Sequence, residues 1–169
     1  MPRTAIEVVG RAGLSSTPMW ELEEKAAQTF KIGAILNNSS GFVAEAGALP
    51  TNILGVAVRA GQNGTSNGDK KTKFIPALQH IIFEGSIDDA TNLGNGAFVD
   101  ANMLGKYGLT KDANGIWYID KSEEGDARVV IVGISDPVSR AAADGHSSRI
   151  QARVQFLFLA DDAMVFTHR

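Results

Sequence analysis

The chain contains no cysteine. That removes a disulfide framework, thiolate zinc sites and cysteine nucleophiles together. It also fits a protein made in a reducing compartment. Histidine is scarce: His80, His146 and His168 lie far apart, in no metal-ligand or nucleophile spacing. His80, between Leu78-Gln79 and Ile81-Ile82, reads as a strand residue with a satisfied ring. No sign of charge dominates. A formal net charge of −3 over 169 residues marks the whole chain neither for nucleic acid nor for a membrane surface. Long apolar runs are missing as well: "VVIVGI" and "FLFLA" fall far short of a bilayer span. The opening "MPRTAIEVVGRAGLSSTP" lacks the sustained apolar stretch of a secretory leader. The sequons at Asn37, Asn38 and Asn63 therefore read as turn formers.

What is present is a β-rich chain with a hydrophobic content of 44% and 18 glycines. Its length suits one domain with a proper core. Residues 1–29 stand apart: a short β-capable run, "AIEVV", has no hairpin partner beside it. Thr17 as N-cap, Pro18 at the first helical position and the acids that follow predict a helical turn or two, with an extended arm as the other reading. From residue 30 the pattern is β. Ile32–Leu36 and Phe42–Ala46 flank the hairpin loop "NNSSG". Ile53–Val58 is apolar on both faces, as in a strand buried from two sides. "GQNGTSNGDKKTK" is a polar surface loop and Phe74–Phe83 a long extended segment. Asn114-Gly115 sits between two β runs as a hairpin turn. "ARVVIVGIS" is a strand, and "RIQARVQFLFLA" alternates, with Ile150, Ala152, Val154, Phe156 and Phe158 on one face. Short strands separated by polar turns favour an antiparallel barrel or sandwich.

Reactive constellations are hard to find. "GQNGTSNGDKKT" resembles a phosphate loop superficially, but Asp69 follows Gly68 and a β-like run follows in place of a helix. "GNGA" at 94–97 has no βαβ context. Asp88-Asp89 and Asp161-Asp162 sit in no known ligand loop, and neighbouring strand residues point to opposite faces. By the same rule one of Trp117 and Tyr118 is expected in the core and the other outside. No catalytic residue, cofactor or metal ligand is assigned.

Taken in order, "AAQTFKIGAIL", "GFVAEAG", "NILGVAV", "FIPALQHIIFEGSI", "LGKYGLTKDANGIWYID", "ARVVIVGISDP" and "RIQARVQFLFL" resemble the decoration, or cement, proteins of tailed-bacteriophage heads. The resemblance covers most of residues 26–159 and rests on small and apolar positions. It implies a mainly β chain: a small antiparallel β-barrel or β-tulip-like domain with an extended N-terminal arm and at most one or two short helices. It divides the chain into an arm over residues 1–29 and a body over 30–169, with 85–125 as an inserted hairpin region. It implies a non-enzymatic homotrimer, made in the host bacterial cytoplasm. On the outer capsid surface of the virion it binds the major capsid protein and stabilises the expanded shell. Nucleic acid and membrane are not expected partners. A lone strand leaves its backbone groups unpaired, and joining another protein's sheet edge satisfies them. Arg3, Ile6, Val8, Val9 and Trp20 are thus the expected capsid-binding arm, and an N-terminal strand within the chain's own sheet is the competing reading. Ile53, Val56 and Val58 are expected at a subunit interface. The alternative function is a virion surface module that meets host glycans through loops 61–72 or 138–148.

Overall fold

The computed structural model describes residues 5–11, 17–91, 95–96, 103–136 and 150–159. They form the strands β1 (Glu7–Arg11), β2 (Trp20–Glu23), β3 (Ile35–Ser39), β4 (Phe42–Glu45), β5 (Ile53–Ala57) and β6 (Lys71–Pro76). Then come β7 (Ile81–Asp88), β8 (Asn95–Gly96), β9 (Lys106–Lys111), β10 (Trp117–Asp120), β11 (Val129–Asp136) and β12 (Ile150–Phe158). The chain is mainly β, as expected, and no helix occurs among the described residues.

Two sheets result. One has the order β2-β6-β5-β3-β4, and a bridge from Glu24 to Val43 ties the end of β2 back to β4. The other has the order β1-β7-β10-β9-β11-β12-β8, and a further β7–β12 pairing closes its central strands into a ring of hydrogen bonds. Phe74–Phe83, expected as one extended segment, is instead the end of β6, a turn at Gln79-His80 and the start of β7. The chain changes sheet there. His80 lies in that turn and is exposed, so it is not the strand residue its neighbours suggested.

One apolar core serves both sheets. It joins Ile35, Leu36, Ile53, Val56 and Phe74 of the smaller sheet to Phe83, Leu109, Trp117, Ile131 and Phe156 of the larger. The alternation in β12 holds: Ala152, Val154, Phe156 and Phe158 are buried, while Arg153, Gln155 and Leu157 between them are half-buried. The hairpin of β9 and β10 also forms. Its turn is organised by Asp112, whose Oδ1 accepts hydrogen bonds from the backbone N–H groups of Asn114 and Ile116.

Three further expectations need correction. Trp20–Glu23 is a strand rather than a helical turn, because it registers against distant Lys71–Phe74. That pairing sets Glu21 opposite Lys73, Glu23 opposite Lys71, and the Trp20 ring edge-on to Phe74 at 6.1 Å. Such cross-strand partners outweigh a local capping signal. Secondly, the hairpin strand begins at Ile35, not Ile32, and runs through Asn37 and Asn38 to Ser39. Residues 32–33 are a turn, and the tight turn of the hairpin lies at Ser40-Gly41. Thirdly, Trp117 and Tyr118 are both buried, at 1% and 3% exposure. Trp117 faces the shared core, and Tyr118 is covered on the opposite side of β10. The described part of 85–125 holds the β9–β10 hairpin, whose strands are consecutive members of the closed ring.

Candidate functional site

The N-terminal segment is not separate from the body. β1 pairs antiparallel with β7, Glu7 opposite Glu84 and Val8 opposite Phe83, while β2 belongs to the other sheet. Ile6 is 3% exposed in the shared core. Burying such a side chain contributes about 1.5–3 kcal/mol, which a free arm would forgo. The competing reading, a strand within the chain's own sheet, therefore describes residues 5–11. Gly33 makes the docking possible. Its φ is +82°, and a Cβ there would stand 2.6 Å from the Ala5 Cβ and 2.9 Å from the Ile6 nitrogen.

Where β1 meets the smaller sheet, an apolar groove of about 340 Å³ opens. Ile6, Glu7 and Val8 form one wall, Val56, Ala57, Val58 and Ile75 the floor, and Thr17, Met19 and Ile32 the rim. Met19 and Ile32 remain 56% and 57% exposed. The groove thus unites residues expected at two different places: Ile6 and Val8 from the supposed arm, Val56 and Val58 from the supposed subunit interface. Val56 is buried beside it, and Val58 is half-buried. Ile53 is fully buried in the core and is therefore not a free interface residue. Trp20 is half-buried against Phe74 and does not line the groove, so it is not an exposed anchor. Arg3 lies outside the described residues, as does the Val9 side chain.

Met19, Ile32 and Ile75 were missed from the sequence. Ile32 reads as part of an apolar strand, and only the turn at 32–33 turns it outward. Ile75 lies on the outer face of β6, opposite Val56, where its exposure depends on how far β1 covers that face.

Charged groups near the groove fasten strands together. Arg153 on β12 donates from Nε to Glu84 Oε1 at 2.6 Å and from an Nη2 to Glu7 Oε1 at 2.6 Å, tying β12 to β7 and β1. The Ser135 hydroxyl adds a 2.5 Å hydrogen bond to Glu84 Oε2. Burial pushes the Glu84 carboxyl up, but the Ser135 and Arg153 hydrogen bonds and the Arg153 charge outweigh it and hold the group below its ordinary value. A second network joins the two sheets. Glu45 on β4 accepts from the Trp117 indole at 3.0 Å and pairs with Lys111 at 2.9 Å, while the Lys111 ammonium lies 5.9 Å from the Trp117 ring centroid.

Asp120, Asp88 and Asp69 act as loop fasteners. Asp120 Oδ1 accepts from the backbone N–H groups of Ala90 and Ser122 and from the Ser122 hydroxyl, and Asp88 Oδ1 caps the Asp89 N–H. In the exposed 65–70 turn, hydrogen bonds from the Ser66 N–H and the Thr65 hydroxyl hold the Asp69 carboxyl below its ordinary value. Among the described residues no group of three or more His, Asp or Glu side chains is placed to hold a metal ion. His146, His168, Asp161 and Asp162 lie outside the described residues.

Comparison with protein-family models, with curated proteins and with solved structures finds no match to this chain.

Proposed function

We propose that this chain is a non-enzymatic structural protein of a tailed-phage head. In this reading it binds the outer surface of the expanded shell as a homotrimer, contacts the major capsid protein and stabilises the assembled form. The observation that carries the reading is the apolar groove along β1, rimmed by exposed Met19 and Ile32, on a mainly β framework. The segments quoted for the resemblance contain strands of that framework.

A cement protein works by preferring the assembled shell to its free subunits, so each bound copy shifts the equilibrium toward the shell. Many modest contacts repeated over a symmetric lattice are sufficient. The described charged networks support this role: Glu45 with Lys111 and Trp117, and Arg153 with Glu7 and Glu84, hold strands to one another. The N-terminal strand takes part as a docked element of the body, not as a free arm.

The test is co-sedimentation of the purified protein with expanded heads that lack it. Saturable binding with a raised shell-disruption temperature is the expected outcome. Absence of binding contradicts the reading, and binding to a sugar array without binding to heads favours the glycan-recognition alternative.

A further inference from the structure

The topology sets β1 apart from the strands it lies beside. β12 takes Phe83–Ile87 of β7 along one edge. β1 pairs with Ile81–Glu84 and β10 with Ile87-Asp88, so those two share the opposite edge, end to end. The strands β7, β10, β9, β11 and β12 close their ring without β1. Lifting β1 away therefore breaks no pairing of the ring. Its own pairing is short, and a register shift between Val8 and Gly10 interrupts it.

The charges make that pairing conditional. Glu7 stands directly opposite Glu84, and like charges so placed oppose pairing. One guanidinium reconciles them: Arg153 holds Glu84 through Nε and Glu7 through Nη2, each at 2.6 Å. Glu84 also has the Ser135 hydroxyl, whereas Arg153 is the one partner of the Glu7 carboxylate among the described residues. Arg153 belongs to β12, inside the ring, and stays in place when β1 leaves. Apolar seating completes the fastening. Ile6 lies in the shared core beside Gly85, where a Cβ would stand 3.1 Å from Ile6 Cγ1.

We infer that β1 is a strap that opens and closes on a body whose ring stays paired, and that Arg153 is its latch. A unit of this kind opens at a free energy between that of a fraying end and that of global unfolding. Opening bares the Ile81–Glu84 edge of β7 and takes Ile6 and Val8 out of the groove they wall. The strap is a property of the free protein, whether or not that protein meets a phage shell.

Native-state amide exchange of the full chain, read by mass spectrometry at low denaturant concentrations, tests this. In the wild type, residues 7–11 should exchange through an opening that denaturant barely accelerates, because it exposes little surface. Amides of β9 and β10 should exchange by global unfolding, which denaturant speeds steeply. Arg153→Met should speed exchange over residues 7–11 by about tenfold, and over β9 and β10 by much less. Adding Glu7→Gln to that variant should restore most of the slow exchange, since two charged acids no longer face each other. Raised salt should speed the wild-type strap a few-fold and the double variant little.

The wild-type comparison needs no variant, so it decides even where a substitution unfolds the chain. Exchange over residues 7–11 that matches β9 and β10 at every denaturant concentration overturns the strap, because β1 then opens only with the whole body. An Arg153→Met effect equal in all three strands, or one that Glu7→Gln does not relieve, overturns the latch.

Discussion

Phe83, Phe156 and Phe158 fill the inside of the larger sheet with rings, whereas the smaller sheet gains its density by bringing backbones together. The Phe83 and Phe156 rings stack at 5.9 Å, and Phe158 meets them edge-on at 5.0 and 5.5 Å. In the smaller sheet a Cβ on Gly55 would stand 2.2 Å from the Ile75 carbonyl oxygen and 2.8 Å from the Phe74 ring. The polar accounting differs too. Near the larger sheet's surface Glu84 has both oxygens satisfied, while inside the smaller one Glu24 Oε2, Asn37 Oδ1 and Thr72 Oγ1 are buried with no hydrogen-bond partner among the described residues. The comparison separates two ways of making a rigid body. Aromatic mass tolerates little truncation, and close backbone approach tolerates little addition.

Truncation should therefore cost most in the larger sheet. Phe156→Ala is expected to lose about 3–5 kcal/mol in denaturant unfolding, because it removes a ring packed against two others. Ile6→Ala should lose about 2–4 kcal/mol, since the side chain lies in the shared core. A value within a few tenths of zero would revive the free-arm reading of residues 1–29. Addition should be felt in the smaller sheet: Gly55→Ala is expected to cost about 1–3 kcal/mol by overpacking against the Ile75 backbone.

The electrostatic contrast is testable by pH. The Glu84 pKa is lower in the folded than in the unfolded state, so the folded form binds fewer protons as the group titrates. Its contribution is fully present above the unfolded value and is lost as pH falls through the lower folded value. Glu84→Gln should remove part of the stability lost between pH 5 and pH 3, roughly, in acid-unfolding curves, with the wild type steeper than the variant. The smallest effect, of opposite sign, belongs to Thr72→Val. Replacing a hydroxyl that has no partner among the described residues by a methyl of similar shape should be neutral or stabilising by up to about 1 kcal/mol. Clear destabilisation would show that Thr72 Oγ1 has a role that the comparison misses.

Much of this fold was legible where a strand's pairing partner lies nearby in sequence. The β3–β4 and β9–β10 hairpins follow from their turn residues, and β12 from its alternation of Ala152, Val154, Phe156 and Phe158. The smooth apolar run of β5 correctly announced burial from two sides, and the second cover turns out to include β1 of the same chain. Illegible were the features decided by distant partners. Nothing local shows that Trp20–Glu23 will register on Lys71–Phe74, or that both faces of Trp117–Asp120 will be covered. The site suffered for the same reason. Ile6, Val8, Val56 and Val58 were singled out for separate roles, and only the packing of one sheet's edge strand over the other brings them together.

In the proposed function this two-sheet body sits on the outside of a phage shell. A cryo-electron microscopy map of expanded heads incubated with the protein, against the same heads without it, tests that most directly. Added density is expected on the outer surface at symmetry-related, trimer-sized positions, with the groove beside β1 turned toward the shell. An unchanged outer surface at saturating protein would contradict it.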